Sequence, residues 1–256
     1  DMLCRIQETN PRDISSLHGI VLMGSPLDKE PCKRYMKVLT PNIFNGYGTT
    51  ETFWNVFLRP YDLPDKAGYA GGACTDDDVR VVRVDTTKHV SPDELVPMDK
   101  ETVGEVVIFA PNKSTFAYYD NPKTTEEKFH NGWLYTGDLA TWDEHAYITI
   151  IGRKDDMIVS AGENIYPVQV ESILNEHPKV AESLVFGIPD PKRGSVIAAL
   201  IRPSDPSLTE KEMKQFCMNH PMLAPYKRPR IFRFVKELPH NATGKLLHKL
   251  PPDFKF

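Results

Sequence analysis

The sequence predicts an α/β body followed by a small α+β module, and three observations carry that prediction. The first fifty residues run strand, turn, helix, strand. Residues 79–151 hold short β-type runs separated by polar or glycine-bearing loops. After Pro167 the rhythm changes to α-β-β-α-β over about one hundred residues, a length at which a module holds its own core.

Taken in order, Leu17 to Met23 (LHGIVLM) is a short apolar run ending at Gly24-Ser25-Pro26, which predicts a buried strand and a turn. Lys29 to Leu39 is amphipathic and reads as a helix, and no clear element precedes this pattern. Asn42-Ile43-Phe44 is strand-like and runs into a turn at Asn45-Gly46-Tyr47-Gly48. This order suggests parallel strands. Val79 to Val84 and Glu105 to Phe109 flank a polar, proline-bearing loop at Ser91 to Thr102, as in a β-meander or small barrel. Thr124 or Thr125 is expected to cap a short helix through Phe129. An aromatic strand from Trp133 is expected to end on a turn at Gly137-Asp138, and Tyr147 to Ile151 is a further strand.

Residues 152–167, GRKDDMIVSAGENIYP, form the joint. Beyond it, Val168, Val170, Ile173 and Leu174 mark one helix face, stopped by His177-Pro178. Ala181 to Ile188 and Val196 to Arg202 are strands. Thr209 with Glu212 has the form of a capping box for a helix through Met218, and Arg230 to Val235 is the last strand. The predicted division is 1–154 and 155–256.

Composition removes several classes. A net charge of -4 gives no pull toward nucleic acid. No run of roughly 18 apolar residues is present, so no membrane span is expected. Cys4, Cys32, Cys74 and Cys217 are dispersed without CxxC spacing, which argues against a zinc or redox pair and suits a reducing compartment, here expected to be the cytoplasm. The oligomeric state stays open.

Three motifs carry candidate chemistry. Gly46-Tyr47-Gly48-Thr49-Thr50-Glu51 offers glycines for close backbone approach, hydroxyls for phosphate and a carboxylate for Mg²⁺; alone, such a stretch is more often only a turn. Tyr135-Thr136-Gly137-Asp138 places an acid suited to ribose hydroxyls, with an Asx-turn as the plainer reading. Ala242-Thr243-Gly244-Lys245 sets a lysine in a polar loop without P-loop spacing, where a solvated lysine is the plainer reading. His240 and His248 have no companion at metal-ligand spacing and read as surface residues.

Together, Gly24-Ser25-Pro26-Leu27, YGTTE at 47–51, YTGD at 135–138, GRKDDMIVSAGENIYP at 152–167 and ATGK at 242–245 resemble the adenylate-forming superfamily of acyl-CoA synthetases, adenylation domains and luciferases. The resemblance covers nearly the whole chain and leans toward acyl- or aryl-CoA ligases. It implies the rear part of a large AMP-binding domain (1–154), with a sheet and small β-barrel, then a small mobile lid (155–256). It also implies two half-reactions: carboxylate plus ATP to acyl-AMP and pyrophosphate, then displacement of AMP by the CoA thiol.

By that resemblance, Asn45, Gly46, Tyr47, Gly48 and Thr50 contact the nucleotide, with Tyr47 on adenine and Thr50 on the α-phosphate. Glu51 binds Mg²⁺. Asp138 and Arg153 hold the ribose, Lys245 stabilises the adenylation transition state, Asp155 is the hinge, and Ser160, Ala161 and Gly162 border the CoA route. The partners so implied are a small carboxylic acid, ATP (leaving as AMP) and CoA.

The superfamily's Ser/Thr/Gly-rich lysine loop, expected upstream of Gly24, does not occur in this sequence. The expectation is therefore a C-terminal half that by itself adenylates poorly. Phe53 and Trp54, close behind YGTTE, hint at an apolar or aromatic acid, with core packing equally open. Two alternatives stand beside the CoA-ligase reading: a carrier-protein-loading adenylation enzyme, and a non-catalytic nucleotide-binding fragment.

Overall fold

In the computed structural model, residues 1–85, 87–241 and 246–248 are described. The chain divides into two compact units, Asp1–Ile150 and Ile151–Phe256.

The first unit opens with helix α1 (Met2–Thr9), where the sequence shows no clear element. Its two turns bury only Cys4 fully and leave Met2, Leu3 and Ile6 exposed. Strand β1 (Ile20–Met23), helix α2 (Lys29–Val38) and strand β2 (Ile43–Thr49) form a β-α-β unit whose strands pair in parallel, Ile20 opposite Ile43 and Met23 opposite Gly46. The amphipathic stripe of α2 explains its place: Cys32 is fully buried, with Tyr35 and Met36 beside Leu27, Ile43 and Leu58. Strands β3 (Phe53–Leu58) and β4 (Gly72–Ala73) continue this sheet antiparallel, in the order β1-β2-β3-β4.

A second sheet has five strands: β5 (Asp78–Val82), β6 (Gly104–Phe109), β7 (Phe129–His130), β8 (Trp133–Trp142) and β9 (Ile148–Arg153). Its path is β5-β6-β8-β7, with β9 also paired to β8. Val79, Val81, Val106, Ile108, Leu134 and Ile148 from these strands fill one core. The valine- and isoleucine-rich runs suit this pleated, buried surface.

Three expectations are corrected here. Strand β2 runs through Asn45-Gly46-Tyr47-Gly48 rather than turning there, and the turn falls at Thr50–Thr52. A Cβ on Gly48 would lie 1.7 Å from the Phe53 carbonyl oxygen, so the glycine admits the returning β3 backbone. Strand β8 likewise continues through Gly137-Asp138 to Trp142; a register shift opposite Glu105 and Val107 absorbs the irregularity without ending the strand. Helix α3 (Pro122–Lys128) is capped by Asn121, whose side chain accepts the Thr124 N–H at 3.1 Å, with Pro122 in the first turn. Neither threonine is the cap, because proline's fixed φ starts the helix earlier.

The second unit begins within β9. A one-turn 3₁₀ helix (Lys154–Asp156) leads to the hairpin of β10 (Ile158–Ser160) and β11 (Glu163–Ile165). Helix α4 (Pro167–Leu174) follows, then β12 (Val180–Asp190) antiparallel to β13 (Gly194–Pro203), helix α5 (Glu210–Asn219), and β14 (Ile231–Phe234) parallel to β13. The capping box on α5 is formed as expected: Thr209 Oγ1 accepts the Glu212 N–H, and Glu212 accepts the Thr209 N–H at 2.8 Å. Ile165, Val170, Leu174, Val185, Ala199, Ile201, Met213 and Phe232 make this unit's own core.

Candidate functional site

The sharpest concentration of predicted residues lies on β2 and the turn after it. Asn45 is buried in the middle of the sheet, and its Oδ1 is one of two buried side-chain polar atoms without a hydrogen-bond partner among the described residues. A buried acceptor left unpaired costs on the order of 1–3 kcal/mol, so a donor from a ligand would stabilise it. Two residues on, the Tyr47 ring packs partly against the second sheet's core. Its phenol donates to Asp138 Oδ2 at 2.7 Å. Two motifs 91 residues apart in sequence therefore meet.

Asp138 is held from its own strand. Its N–H donates to Thr136 Oγ1 at 2.9 Å, the Thr136 hydroxyl donates to the Val106 carbonyl at 2.8 Å, and Gly137 N–H donates to the buried Glu105 carboxylate at 3.2 Å. These bonds pin β8 to β6 at the point where the register shifts.

Thr50 is exposed on the turn and Glu51 is half-buried beside it. Burial pushes the Glu51 carboxyl up, but hydrogen bonds from Tyr118 and Thr49 outweigh it, and the net shift is downward. Glu51 is thus an ionised, oriented carboxylate at neutral pH. Below the turn runs a network that no motif announces. Thr49 and Thr52 hydroxyls meet at 3.1 Å. Thr52 donates to Asn55 Oδ1 at 2.7 Å, and Asn55 Nδ2 donates to Asp77 Oδ2 at 2.9 Å. Lys113 Nζ then donates to Asp77 Oδ2 at 2.6 Å and to the Trp54 carbonyl at 2.7 Å. One signal in the sequence could have found it: Asn55 interrupts the apolar run Phe53–Leu58, and a polar residue there needs partners.

Of the residues behind YGTTE, Phe53 is exposed with φ +58, and Trp54 is partly exposed with its ring edge-on to Phe57. A non-glycine residue at such a φ is uncommon; here the tight return against Gly48 sets it.

In the second unit, Arg153 closes β9 and Asp155 is exposed in the middle of the 3₁₀ turn. Ser160 ends β10, buried, with its hydroxyl donating to the Ser195 carbonyl at 2.7 Å. Ala161 and Gly162 are the two turn residues of the hairpin, at φ +53 and +87, the signature of a type I′ turn. The Ala161 N–H donates to the Arg193 carbonyl at 2.8 Å. A Cβ on Gly162 would meet nothing within 4 Å, so backbone conformation rather than crowding asks for glycine, and the space beside it is open.

Lys245 lies outside the described residues. His240 is exposed, as expected of a surface residue, and meets Glu182 at 2.9 Å and the Leu238 carbonyl at 2.8 Å. His248 departs from that expectation: it is partly buried and meets both oxygens of the buried Glu171 at 3.0 and 3.1 Å.

No group of three or more His, Cys, Asp or Glu side chains poised for a metal occurs among the described residues. The single carboxylate of Glu51 beside threonine hydroxyls fits the other regime, in which Mg²⁺ is carried largely by substrate phosphates and water and the protein adds one or two oxygens. No helix among the described residues is long and apolar enough to cross a membrane.

Comparison with known proteins shows which sequences and folds the chain resembles. The family model for the AMP-binding enzyme matches residues 1–119, and that for the AMP-binding enzyme C-terminal domain matches residues 169–245. The long-chain-fatty-acid–CoA ligase of Escherichia coli O157:H7 is 33% identical over 243 residues, covering 95% of this chain and 41% of that protein. The 2-succinylbenzoate–CoA ligase of Bacillus cereus strain Q1 is 37% identical over 251 residues, covering 97% and 48%. Among solved structures, o-succinylbenzoate CoA synthetase (MenE) from Bacillus subtilis in complex with its acyl-adenylate intermediate superposes with a TM-score of 0.81 at 33% identity, covering 99% of this chain and 50% of that one. The ATP-bound MatB of Rhodopseudomonas palustris gives a TM-score of 0.78 at 26% identity, covering 94% and 47%. The chain spans about half the length of the relatives it matches.

Proposed function

The chain belongs to the adenylate-forming, AMP-binding enzyme superfamily, and from that premise we propose that it serves an ATP-dependent acyl- or aryl-CoA ligase. A carboxylate attacks the α-phosphate of ATP and pyrophosphate leaves. The CoA thiol then attacks the acyl carbonyl, and AMP departs. The observation that carries this reading is the hydrogen bond between Tyr47 and Asp138, which joins an aromatic face suited to adenine with a carboxylate suited to ribose hydroxyls, two residues from the unpaired buried Oδ1 of Asn45.

In this reading, the β2 backbone at Gly46 and Gly48 borders the nucleotide, Thr50 donates to the α-phosphate, and Glu51 holds Mg²⁺, whose charge offsets that of the phosphates. MenE from Bacillus subtilis has been solved with ATP and magnesium ion, which supports this pairing of ligands here. Catalysis of this kind is mostly positioning and charge neutralisation. Roles for Arg153 on the ribose and Lys245 on the transferring phosphoryl group rest on family resemblance. So does Asp155 as hinge; the division at 154/155 rests also on the change of pattern along the chain, and a cytoplasmic location on the dispersed cysteines. Ser160, Ala161 and Gly162 form the turn past which the CoA thiol arm runs; the open space at Gly162 supports that placement.

The test is acid-dependent exchange of labelled pyrophosphate into ATP by the intact protein, across fatty, aryl and short carboxylic acids. Exchange with at least one acid is expected. Nucleotide binding with no exchange for any acid would favour the non-catalytic alternative, and exchange followed by transfer only to a carrier protein would favour the carrier-loading one.

A further inference from the structure

The Glu51 carboxylate sits on a turn, at the end of a long side chain, and the proposed metal site has little else from the protein to define it. Mg²⁺ demands near-ideal octahedral geometry. With a single carboxylate contributed, whatever orients that carboxylate decides how well the ion is held.

One side chain from a distant segment does this. The Tyr118 phenol donates to Glu51 Oε1 across 67 positions of sequence. Tyr118 is itself fixed. Its N–H donates to Thr125 Oγ1 at 2.9 Å, and the Thr125 hydroxyl donates to the Asn121 carbonyl at 2.9 Å. Asn121 is the cap of α3. The Tyr118 ring lies 5.9 Å from that of Phe129, which Phe116 meets edge-on at the same separation. Phe129 opens β7 and pairs with Leu134 of β8, the strand that carries Asp138. The carboxylate and the ribose-side acid are thereby referenced to the same strand.

We infer that Tyr118 is a positioning residue for the metal: it sets the Glu51 carboxylate for a divalent cation bound to nucleotide phosphates. A phenol suits the task. It is a neutral donor, so it orients the carboxylate through a charge-assisted bond without competing with the cation by carrying charge of its own. Outer partners of metal ligands are commonly worth 10–100-fold in metal affinity. The inference rests on the assignment of Glu51 to the metal.

The experiment measures Mn²⁺ binding to the intact protein with ATP by electron paramagnetic resonance, alongside metal-free AMP binding by calorimetry. Tyr118→Phe keeps the ring against Phe129 and removes only the hydroxyl. The expected result is Mn²⁺ affinity weakened about 10-fold, AMP affinity within twofold and an unchanged melting temperature. Thr125→Val, which removes the acceptor of the Tyr118 N–H and leaves the phenol in place, shifts Mn²⁺ affinity the same way by a smaller factor. Glu51→Gln separates the two ideas. If Glu51→Gln weakens Mn²⁺ binding but Tyr118→Phe does not, the positioning role is overturned and the Glu51 assignment stands. If Glu51→Gln has no effect on Mn²⁺, both fall. In the double variant, Tyr118→Phe is expected to add nothing to Glu51→Gln; an additive loss would mean that Tyr118 acts elsewhere.

Discussion

The turn after β2 and the hairpin turn between β10 and β11 solve the same problem in opposite ways. Both present a short loop proposed to meet a ligand. At Thr50–Glu51 the geometry is set by side chains: Thr52, Asn55, Asp77 and Lys113 beneath, Tyr118 from the side. At Ala161-Gly162 it is set by backbone, with two consecutive positive φ angles and one bond to the Arg193 carbonyl. A phosphate and metal site needs charged groups held in place before the reaction. A passage for a thiol arm needs only room and a fixed backbone. The first region should therefore fail through loss of partners, the second through loss of conformational freedom.

The largest expected effect tests whether the second unit also serves adenylation. Lys245→Ala should lower acid-dependent pyrophosphate release about 10²–10³-fold while largely sparing thioester formation from supplied acyl-AMP; stopped assays of each step decide it. Equal loss in both would dissolve the proposed division of labour. Next, Asp138→Ala should weaken AMP binding about 10–100-fold, as expected for hydrogen bonds to a charged acceptor, measured by calorimetry. Unchanged affinity would remove Asp138 from the ribose.

Asp77→Ala then probes the network itself. It removes the acceptor that Asn55 and Lys113 share and should destabilise the first unit by about 1–3 kcal/mol, the cost of a buried amide that loses a partner, read by chemical denaturation. A variant as stable as the parent would mean that the turn does not depend on this network. In the backbone-set region, Gly162→Val should strain the turn by about 1–2 kcal/mol and slow thioester formation from acyl-AMP about 10-fold, leaving pyrophosphate release intact.

The smallest effect lies away from both sites. Glu212 is held down to about 2 by the Lys179 ammonium and by the Thr209 hydroxyl and N–H. A depressed carboxylate adds stability that is fully present above its unfolded pKa, roughly 4.3, and is lost as pH falls toward 2. Glu212→Gln should flatten the acid limb of the stability profile over that window, measured by thermal melts from pH 5 to 2.

The same contrast explains what was legible in the sequence. The Ala161-Gly162 turn is local, so its residue types announce it. The Thr209–Glu212 capping box is local too and appears as expected. By contrast, Tyr118 to Glu51 and Lys113 to Asp77 span 67 and 36 positions, and no periodicity encodes such pairs. Strand continuation through Gly46, Gly48 and Gly137 is hidden for a related reason: glycine signals a turn locally, whereas here Gly46 faces the Phe57 ring, Gly48 admits the β3 backbone and Gly137 lies at a register shift. Asn121 displaced the threonines as the α3 cap because Pro122 fixes where the helix begins. Helix α1 is not announced because its eight residues carry no side-chain cap bond, no acidic residue in the first turn and no basic one in the last to mark its limits.

In the proposed function, the two regions serve different half-reactions of one CoA ligase. The most direct measurement follows both steps in the intact protein and in Asp138→Ala and Gly162→Val side by side: pyrophosphate release from ATP with an accepted acid, and CoA thioester formed from supplied acyl-AMP. Asp138→Ala is expected to lose the first step most and Gly162→Val only the second. Parallel losses in both variants, or no CoA thioester from the parent protein, would contradict it.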